Sequence, residues 1–499
     1  MSQPVWSKRV GDANIARANV EYTAGYDVAG RAAADERLAR YDLQTNCAHL
    51  LMLVEANIIT VENGMAIASG LLQLREKNEM GETFLRPSCE DIHMSSETVL
   101  GELVGTEHSG RLHSARSRND QVATDMRLWL RDEVAALAQD IALLARSIAA
   151  HAQRHVGTVC PGFTHGQPAM ITTWGHWTMS YLPRLLRDMR ALGALLRELK
   201  TCPLGAAASY GTSWPIDRER TAKLLGFAHP TPSGADGIWS RGELELRFAQ
   251  VAAQFLSHLS GIAQDIILLS SPPRDWLRLA SEHVTGSSIM PQKRNPDFAE
   301  VTRARASVAA GIAQSLAGIG IALQSGYNRD TQWTKYLGFD AADNVRGAAA
   351  LFAQVFDRME VNAAAMKSAC AEGFLNATDV ADHLSSKRGV PFRVCYRVIG
   401  EVVRECDAAG AIQLPVLNAA LKNQGIVELS AEEWQGLENP ELLLAARTQP
   451  GNPAPAETGK SIALLSREIE EEAGLIATAQ QGWKAAIADT WKQVQQLSG

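Results

Sequence analysis

From Gly286 to Pro296 the chain reads Gly286-Ser287-Ser288-Ile289-Met290-Pro291-Gln292-Lys293-Arg294-Asn295-Pro296, which places a hydroxyl, an ammonium and an amide in one short loop. Glycine and two serines free the backbone and expose N–H groups, while the two prolines bracket the polar residues and resist helix on either side. Such a loop suits closure over an anion, although a Gly-Ser-Ser taken alone is ordinarily a flexible connection. Three more strings carry similar chemistry. Ser114-Ala115-Arg116-Ser117-Arg118-Asn119-Asp120-Gln121 precedes a long helical pattern, so Ser117, Arg118 and Asn119 can direct donors at a carboxylate beside a positive helix end. The plain alternative is an N-cap with solvated arginines. Pro161-Gly162-Phe163-Thr164-His165-Gly166-Gln167-Pro168 sets a hydroxyl beside an imidazole in a turn, where a lone histidine is more often structural than catalytic. Tyr327-Asn328-Arg329-Asp330-Thr331-Gln332, with Lys335 after it, would pass as a solvated charge cluster.

Taken together, in this order, the strings resemble the fumarase and aspartase superfamily, and the Gln-Lys-Arg-Asn form of the 286–296 loop resembles its argininosuccinate lyase branch. The 114–121 string is similar to that branch's Gly-Arg-Ser-Arg-Asn-Asp-Gln, with Ala115 in place of glycine. The 161–168 string is similar to its Gly-Tyr-Thr-His-Leu-Gln, with Gly166 in place of leucine and Pro168 in place of arginine. Pro203-Leu204-Gly205 and Pro215-Ile216-Asp217-Arg218-Glu219-Arg220 match another family stretch. The resemblance runs over roughly residues 30–400 and is poor over the last hundred.

The resemblance implies an anti elimination: a base takes the proton beside a carboxylate, the amine on the neighbouring carbon departs, and fumarate remains. Fixed donors aimed at the resulting aci-carboxylate stabilise the transition state more than the ground state. Ser287 falls on the family's general base, Lys293 and Asn295 on the groups that hold the dianion, with help from Thr164, Ser117 and Asn119. His165 and Glu300 resemble its His-Glu pair. Arg118, Tyr327, Gln332 and Lys335 fall on substrate-contacting stretches. No metal or organic cofactor is implied.

The departing amine is read from two departures. Aligning Asp35-Glu36-Arg37-Leu38 with the family's Asp-x-x-Leu puts Arg31 where a serine usually stands, and Trp333 and Thr334 replace a Glu-Asp pair before Lys335. Losing two acids and gaining a cation suits a more anionic leaving group than a guanidinium. The expected substrate is therefore an aminopolycarboxylate such as ethylenediamine-disuccinate. The alternatives are argininosuccinate itself, elimination of nitrite from nitrosuccinate, for which no residue speaks, and a crystallin-like structural protein without activity.

These residues need a scaffold, and the pattern supplies one. Val122, Met126, Leu130, Val134, Leu137, Ile141, Leu144 and Ile148 recur at three and four, predicting a helix of about eight turns. Leu244, Phe248, Val251, Phe255, Leu259, Ile262, Ile266 and Leu269 predict a second, stopped by Pro272-Pro273. Trp177 to Leu195 predicts a third with a kink at Pro183, and Val301, Val308, Ile312 and Ile319 a fourth on an alanine- and glycine-rich face. The expected fold is all-α, with a central long-helix bundle at 111–364, a helical N-terminal region at 1–110 and a helical C-terminal region at 365–499. Turn signals at Gly389-Val390-Pro391 and Gln449 to Pro455 precede a final helical run through Ile462, Ile469, Ile476 and Trp483.

The 499 residues carry a net charge of −7, which argues against nucleic acid as a general partner, and seven scattered cysteines form no C-x-x-C pair. The N-terminus lacks a signal-like apolar core and no uninterrupted apolar run reaches the length of a membrane span, so a cytoplasmic enzyme is expected. Helices this long and apolar call for partners, and the resemblance implies a homotetramer in which the 117–119, 164–165 and 287–295 segments meet from three different chains.

Overall fold

The computed structural model describes residues 34–86, 89 and 91–499. Arg31 lies outside the described residues. The principal elements are α1 (Ala39–Glu55), α2 (Val61–Glu79), α3 (Ile92–Val104), α4 (Arg118–Arg154), a hairpin of β1 (Val159–Thr164) and β2 (Gln167–Thr173), α5 (Trp174–Met179), α6 (Leu182–Glu198), α7 (Gly234–Trp239), α8 (Glu243–Leu269), α9 (Asp297–Ile319), α10 (Trp333–Val345) and α11 (Ala348–Arg358). The C-terminal part includes α12 (Ala377–Arg388), α13 (Phe392–Glu405) and α14 (Pro455–Ser498).

The 37-residue α4 is the spine, about 55 Å long at the helical rise. Ser117 caps it, accepting from Asn119 N while Asp120 closes a capping box, so its start is set by side chains. Every member of its predicted apolar stripe is buried. The second predicted helix is α8, which ends at Leu269 just ahead of the paired prolines. The third is not one kinked helix. Its register breaks at Ser180-Tyr181, and Pro183 sits in the first turn of α6, where a missing N–H costs no hydrogen bond.

The fourth helix, α9, turns a different face inward than its valines suggest. Ala299, Thr302, Ala309, Ala313 and Leu316 are buried, whereas Val301 and Val308 are each 55% exposed. Small side chains let α9 lie close against α8, and the β-branched residues end on the outer surface. Two helices, α4 and α8, meet the length and composition of a membrane span. Both are built into the bundle, where their apolar stripes join the main core.

The final 44-residue helix α14 buries Ile462, Ile469, Ile476, Trp483 and Thr490 at seven-residue spacing. The first four join the main core with α2, α4 and α6, whereas residues 375–444 form a smaller core of their own against Val159 and Ile171. The stretch 365–499 is thus divided between two cores.

Candidate active site

At the N-terminal end of α4 the chain reverses sharply. Ala115 stands at φ +63°, a conformation costly for any residue but glycine, and His49 Nε2 holds the adjacent Ser114 carbonyl at 2.9 Å. The glycine that the sequence pattern leads one to expect at 115 would remove that strain. Asp120 Oδ2 accepts from Gly205 N at 2.9 Å and Ala207 N at 2.8 Å, tying the 203–211 loop to the first turn of α4. Burial pushes the Asp120 carboxyl up to about 6, against the lowering pull of the Ser117, Ala207 and Gly205 N–H groups. One turn further, Ala123 packs with Ala206, Ile238 and the ring of Tyr327, so Tyr327 joins Ser117, Arg118 and Asn119 at this end of the bundle.

Arg118 is held by a buried charge network. Its Nη1 donates to Asp91 Oδ2 at 3.2 Å, and Asp91 Oδ1 caps α3 by accepting Met94 N at 2.8 Å. Behind it, His93 Nε2 lies 2.9 Å from Asp125 Oδ2 in the second turn of α4. Burial alone would depress the His93 imidazole, but the carboxylates of Asp125 and Asp91 hold its proton and push it up to about 10. Asp42, His93 and Asp125 are close enough to suggest a metal trio. Their chemistry fits poorly: the imidazole is held as a cation, and the carboxylates accept from Thr45, Asn46 and Ser96 hydroxyl or amide groups. The cluster reads as a charge-balanced brace for the helix end. Nothing in the sequence pattern around Asp91 to His93 announced this role.

At the far end of α4 the hairpin presents Thr164 and His165. Thr164 pairs with Gln167 across a two-residue turn in which His165 (φ +54°) and Gly166 (φ +74°) are both left-handed, the geometry that suits a tight hairpin. Gly166 meets that demand where a leucine would be strained. Both Thr164 and His165 are exposed. The Ser287 loop is anchored at its base by the mutual bonds Thr285 N to Asn295 O (3.0 Å) and Asn295 N to Thr285 O (2.8 Å), with Asn295 Nδ2 donating to Gly286 O at 3.3 Å. Ser287 Oγ accepts from Ile289 N at 3.4 Å and Met290 N at 3.2 Å. Lys293 and Glu300 are exposed, Glu300 one turn into α9.

The placement of these groups is set by two rods. Ser117 starts α4, and the hairpin follows its last turn, with Trp174 N bonded to Thr158 O and Gly175 N to His155 O. The ten residues from Arg154 to Thr164 reach back at most about 34 Å when fully extended, so Thr164 remains at least roughly 20 Å from Ser117 in one chain. Likewise the Ser287 loop enters α9, and the Tyr327–Gln332 segment follows its other end, a helix of about 35 Å. The structure therefore brings Ser117, Arg118, Asn119 and Tyr327 to one end of the bundle and leaves Thr164 and His165 at the other.

Lys335, expected among the substrate contacts, is fully buried with its ammonium on Asp35, whose other oxygen accepts Ile92 N at 3.2 Å. Gln332 has a buried side-chain oxygen without a hydrogen-bond partner. Thr334 is buried and donates to Thr331 O at 2.8 Å, while the Trp333 ring is 42% exposed.

Comparison with known proteins agrees with this architecture. Residues 28–311 match the family model described as lyase, and residues 374–445 match that of the argininosuccinate lyase C-terminal region, so the similarity extends further toward the C-terminus than the motifs alone suggest. Argininosuccinate lyase of Hyphomonas neptunium is 39% identical over 443 residues, 88% of this chain and 93% of its own. That of Chelativorans sp. is 38% identical over 450 residues, covering 88% and 92%. An EDDS lyase solved with formate superposes with a TM-score of 0.82 at 28% identity, covering 92% of each chain. A class II fumarase from Schistosoma mansoni shares the fold alone, with a TM-score of 0.69 at 16% identity over 83% of this chain and 91% of its own.

Proposed function

The chain belongs to the lyase family, in the argininosuccinate lyase-like branch of the fumarase/aspartase superfamily, and is a fumarate-releasing carbon–nitrogen lyase; from that premise we propose that it cleaves N-substituted aspartates of the aminopolycarboxylate class, such as ethylenediamine-disuccinate, whose departing amine carries carboxylates and no guanidinium. The observation that carries this reading is the leaving-group end of the site. No acid stands at 333 or 334, where Trp333 is exposed and Thr334 is buried with its hydroxyl on Thr331 O. A guanidinium leaving group would lose its counter-charge there, whereas an anionic one loses nothing. The likeness to an EDDS lyase across the whole fold supports it. Argininosuccinate is the second reading, favoured by the higher identity to argininosuccinate lyases.

Ser287 is the base in this scheme. Two backbone N–H groups already point at its Oγ, the arrangement that lowers the cost of negative charge on that oxygen. The alkoxide takes the proton from the carbon beside the carboxylate, and the electron pair moves into that group. Lys293, Asn295, Thr164, Ser117 and Asn119 hold the dianion. The pair then returns to form the double bond as the C–N bond breaks, and the nitrogen leaves with a proton delivered on the His165–Glu300 side. Because Ser117 and Thr164 of one chain are too far apart to grip a ligand of about 10 Å, the scheme requires several copies per site, consistent with the exposed valines of α9 as an interface.

Fumarate release, followed by ultraviolet absorbance, from ethylenediamine-disuccinate, iminodisuccinate and argininosuccinate tests the reading. The aminopolycarboxylates are expected to give kcat/KM at least tenfold above argininosuccinate. A preference for argininosuccinate refutes the substrate assignment and leaves the elimination chemistry intact.

A further inference from the structure

Arg241 follows α7 at the end of the bundle that holds Ser117, Arg118, Asn119 and Tyr327. Its side chain is 9% exposed, and its Nε and Nη2 are buried without a hydrogen-bond partner. It forms no ion pair among the described residues; Tyr327 and the more distant Glu245 carboxylate favour its charge but leave Nε and Nη2 unused. A cation in that state is costly unless something answers it. Tyr327 lies against it, with the ring centre 5.2 Å from the guanidinium carbon.

Two other orphaned groups share this corner. Ser209 is buried with its Oγ unpartnered and stands at φ +95°, a strained position held by the loop that Asp120 fastens to α4. A Cβ built on Gly326, next to Tyr327, would come 3.7 Å from that Oγ and 3.4 Å from the Tyr210 hydroxyl, so Ser209 borders the Tyr327 segment. Gln332 adds its unpartnered Oε1. Arg241 also lines a cavity of about 300 Å3 with Ser240 and Thr334, and Asp236 and Glu243 border the same cavity, so the charge offered to a ligand there is that of Arg241 set against two carboxylates.

We propose that Arg241 receives the carboxylate carried by the departing amine, with Ser209 and Tyr327 completing the hydrogen bonding and Gln332 accepting from the amine's own N–H. A guanidinium offers two parallel N–H groups to a carboxylate, and Nε with Nη2 is one of the pairs so disposed. Arg241 is then a specificity-determining residue for the leaving group, separate from the donors that hold the fumarate half. The assignment rests on the elimination scheme, but not on which amine leaves, since arginine also carries a carboxylate.

The test compares the two halves of the ligand in the assembled enzyme. Isothermal calorimetry gives the Kd of fumarate and that of each amine product: N-(2-aminoethyl)aspartate, aspartate and arginine. In Arg241→Met the Kd of the amine released from the preferred substrate rises at least thirtyfold and that of fumarate less than threefold, while KM for the parent substrate rises more than kcat falls. Circular dichroism checks that the helices persist. Should Arg241→Met fail to fold, Arg241→Lys keeps the buried charge without the paired donors and is expected to weaken the amine product at least tenfold more than fumarate. Equal weakening of both ligands, or of neither, overturns the assignment. Which substrate the unmodified enzyme prefers is measured separately, so failure of the aminopolycarboxylate reading and failure of the Arg241 assignment give different results.

Discussion

Asp35 and Lys335, 300 positions apart in the chain, meet as an ion pair that is fully buried. The contact pins the start of the described chain to α10, and Asp35 reaches on to Ile92 N at the head of α3. Removing one partner strands the other charge in the interior, which typically costs about 3–5 kcal/mol. Lys335→Met is therefore expected to lower the thermal midpoint sharply at fixed protein concentration, and adding Asp35→Leu to recover part of the loss. A variant with normal melting and a raised KM would return Lys335 to the substrate site.

Ser287→Ala removes the proposed base while leaving the loop's backbone bonds available. The expected result is a fall in kcat of about 100- to 10,000-fold, the range for general bases, with helix content and fumarate affinity retained. Residual turnover above a tenth of the original would mean that another group takes the proton.

The His93 network predicts an alkaline limit to stability. The imidazole binds its proton more tightly in the folded chain, with a pKa of about 10 against the ordinary 6.5, so the stabilisation is complete below about pH 6.5 and is lost as pH climbs toward 10. Thermal midpoints measured from pH 6 to 10 should fall across that window and fall less in His93→Gln. A flat profile in the unmodified protein would contradict the charged imidazole.

Sites assembled from several copies predict rescue between two inactive variants. In an equal mixture of Ser287→Ala and Thr164→Ala chains, refolded together, a site that draws those two residues from different copies is intact in about a quarter of cases. Fumarate release near that fraction is expected from the mixture and none from either variant alone. Absence of rescue, with mixed oligomers demonstrated by differently tagged chains, would place each site within one chain.

The bundle was legible because its signal is local and long. The stripe from Val122 to Ile148 and the stop at Pro272-Pro273 each follow from neighbours in sequence, and the structure keeps both. The inward face of α9 was not legible, because small residues bury well only beside a closely packed helix, and Val301 looks like core until that neighbour is known. Within the site, the Ser117 cap and the Thr164-His165 turn are local features and emerge where expected. The burial of Lys335 was not legible, since its partner lies 300 residues away. Arg241 carries no motif at all; what marks it is the pair of unpartnered donors, Nε and Nη2, beside Tyr327, a state that Arg116 shares with Nε and Nη1.

The spine helix α4 is also a gauge. Its 37 residues set the interval between the cap at Ser117 and the imidazole-bearing hairpin beyond Arg154. Adding one heptad near its middle would keep every stripe in phase yet lengthen the interval by about 10 Å. In the proposed multi-copy site, neighbouring copies could then no longer align cap with hairpin, and turnover would cease with every side chain still in place.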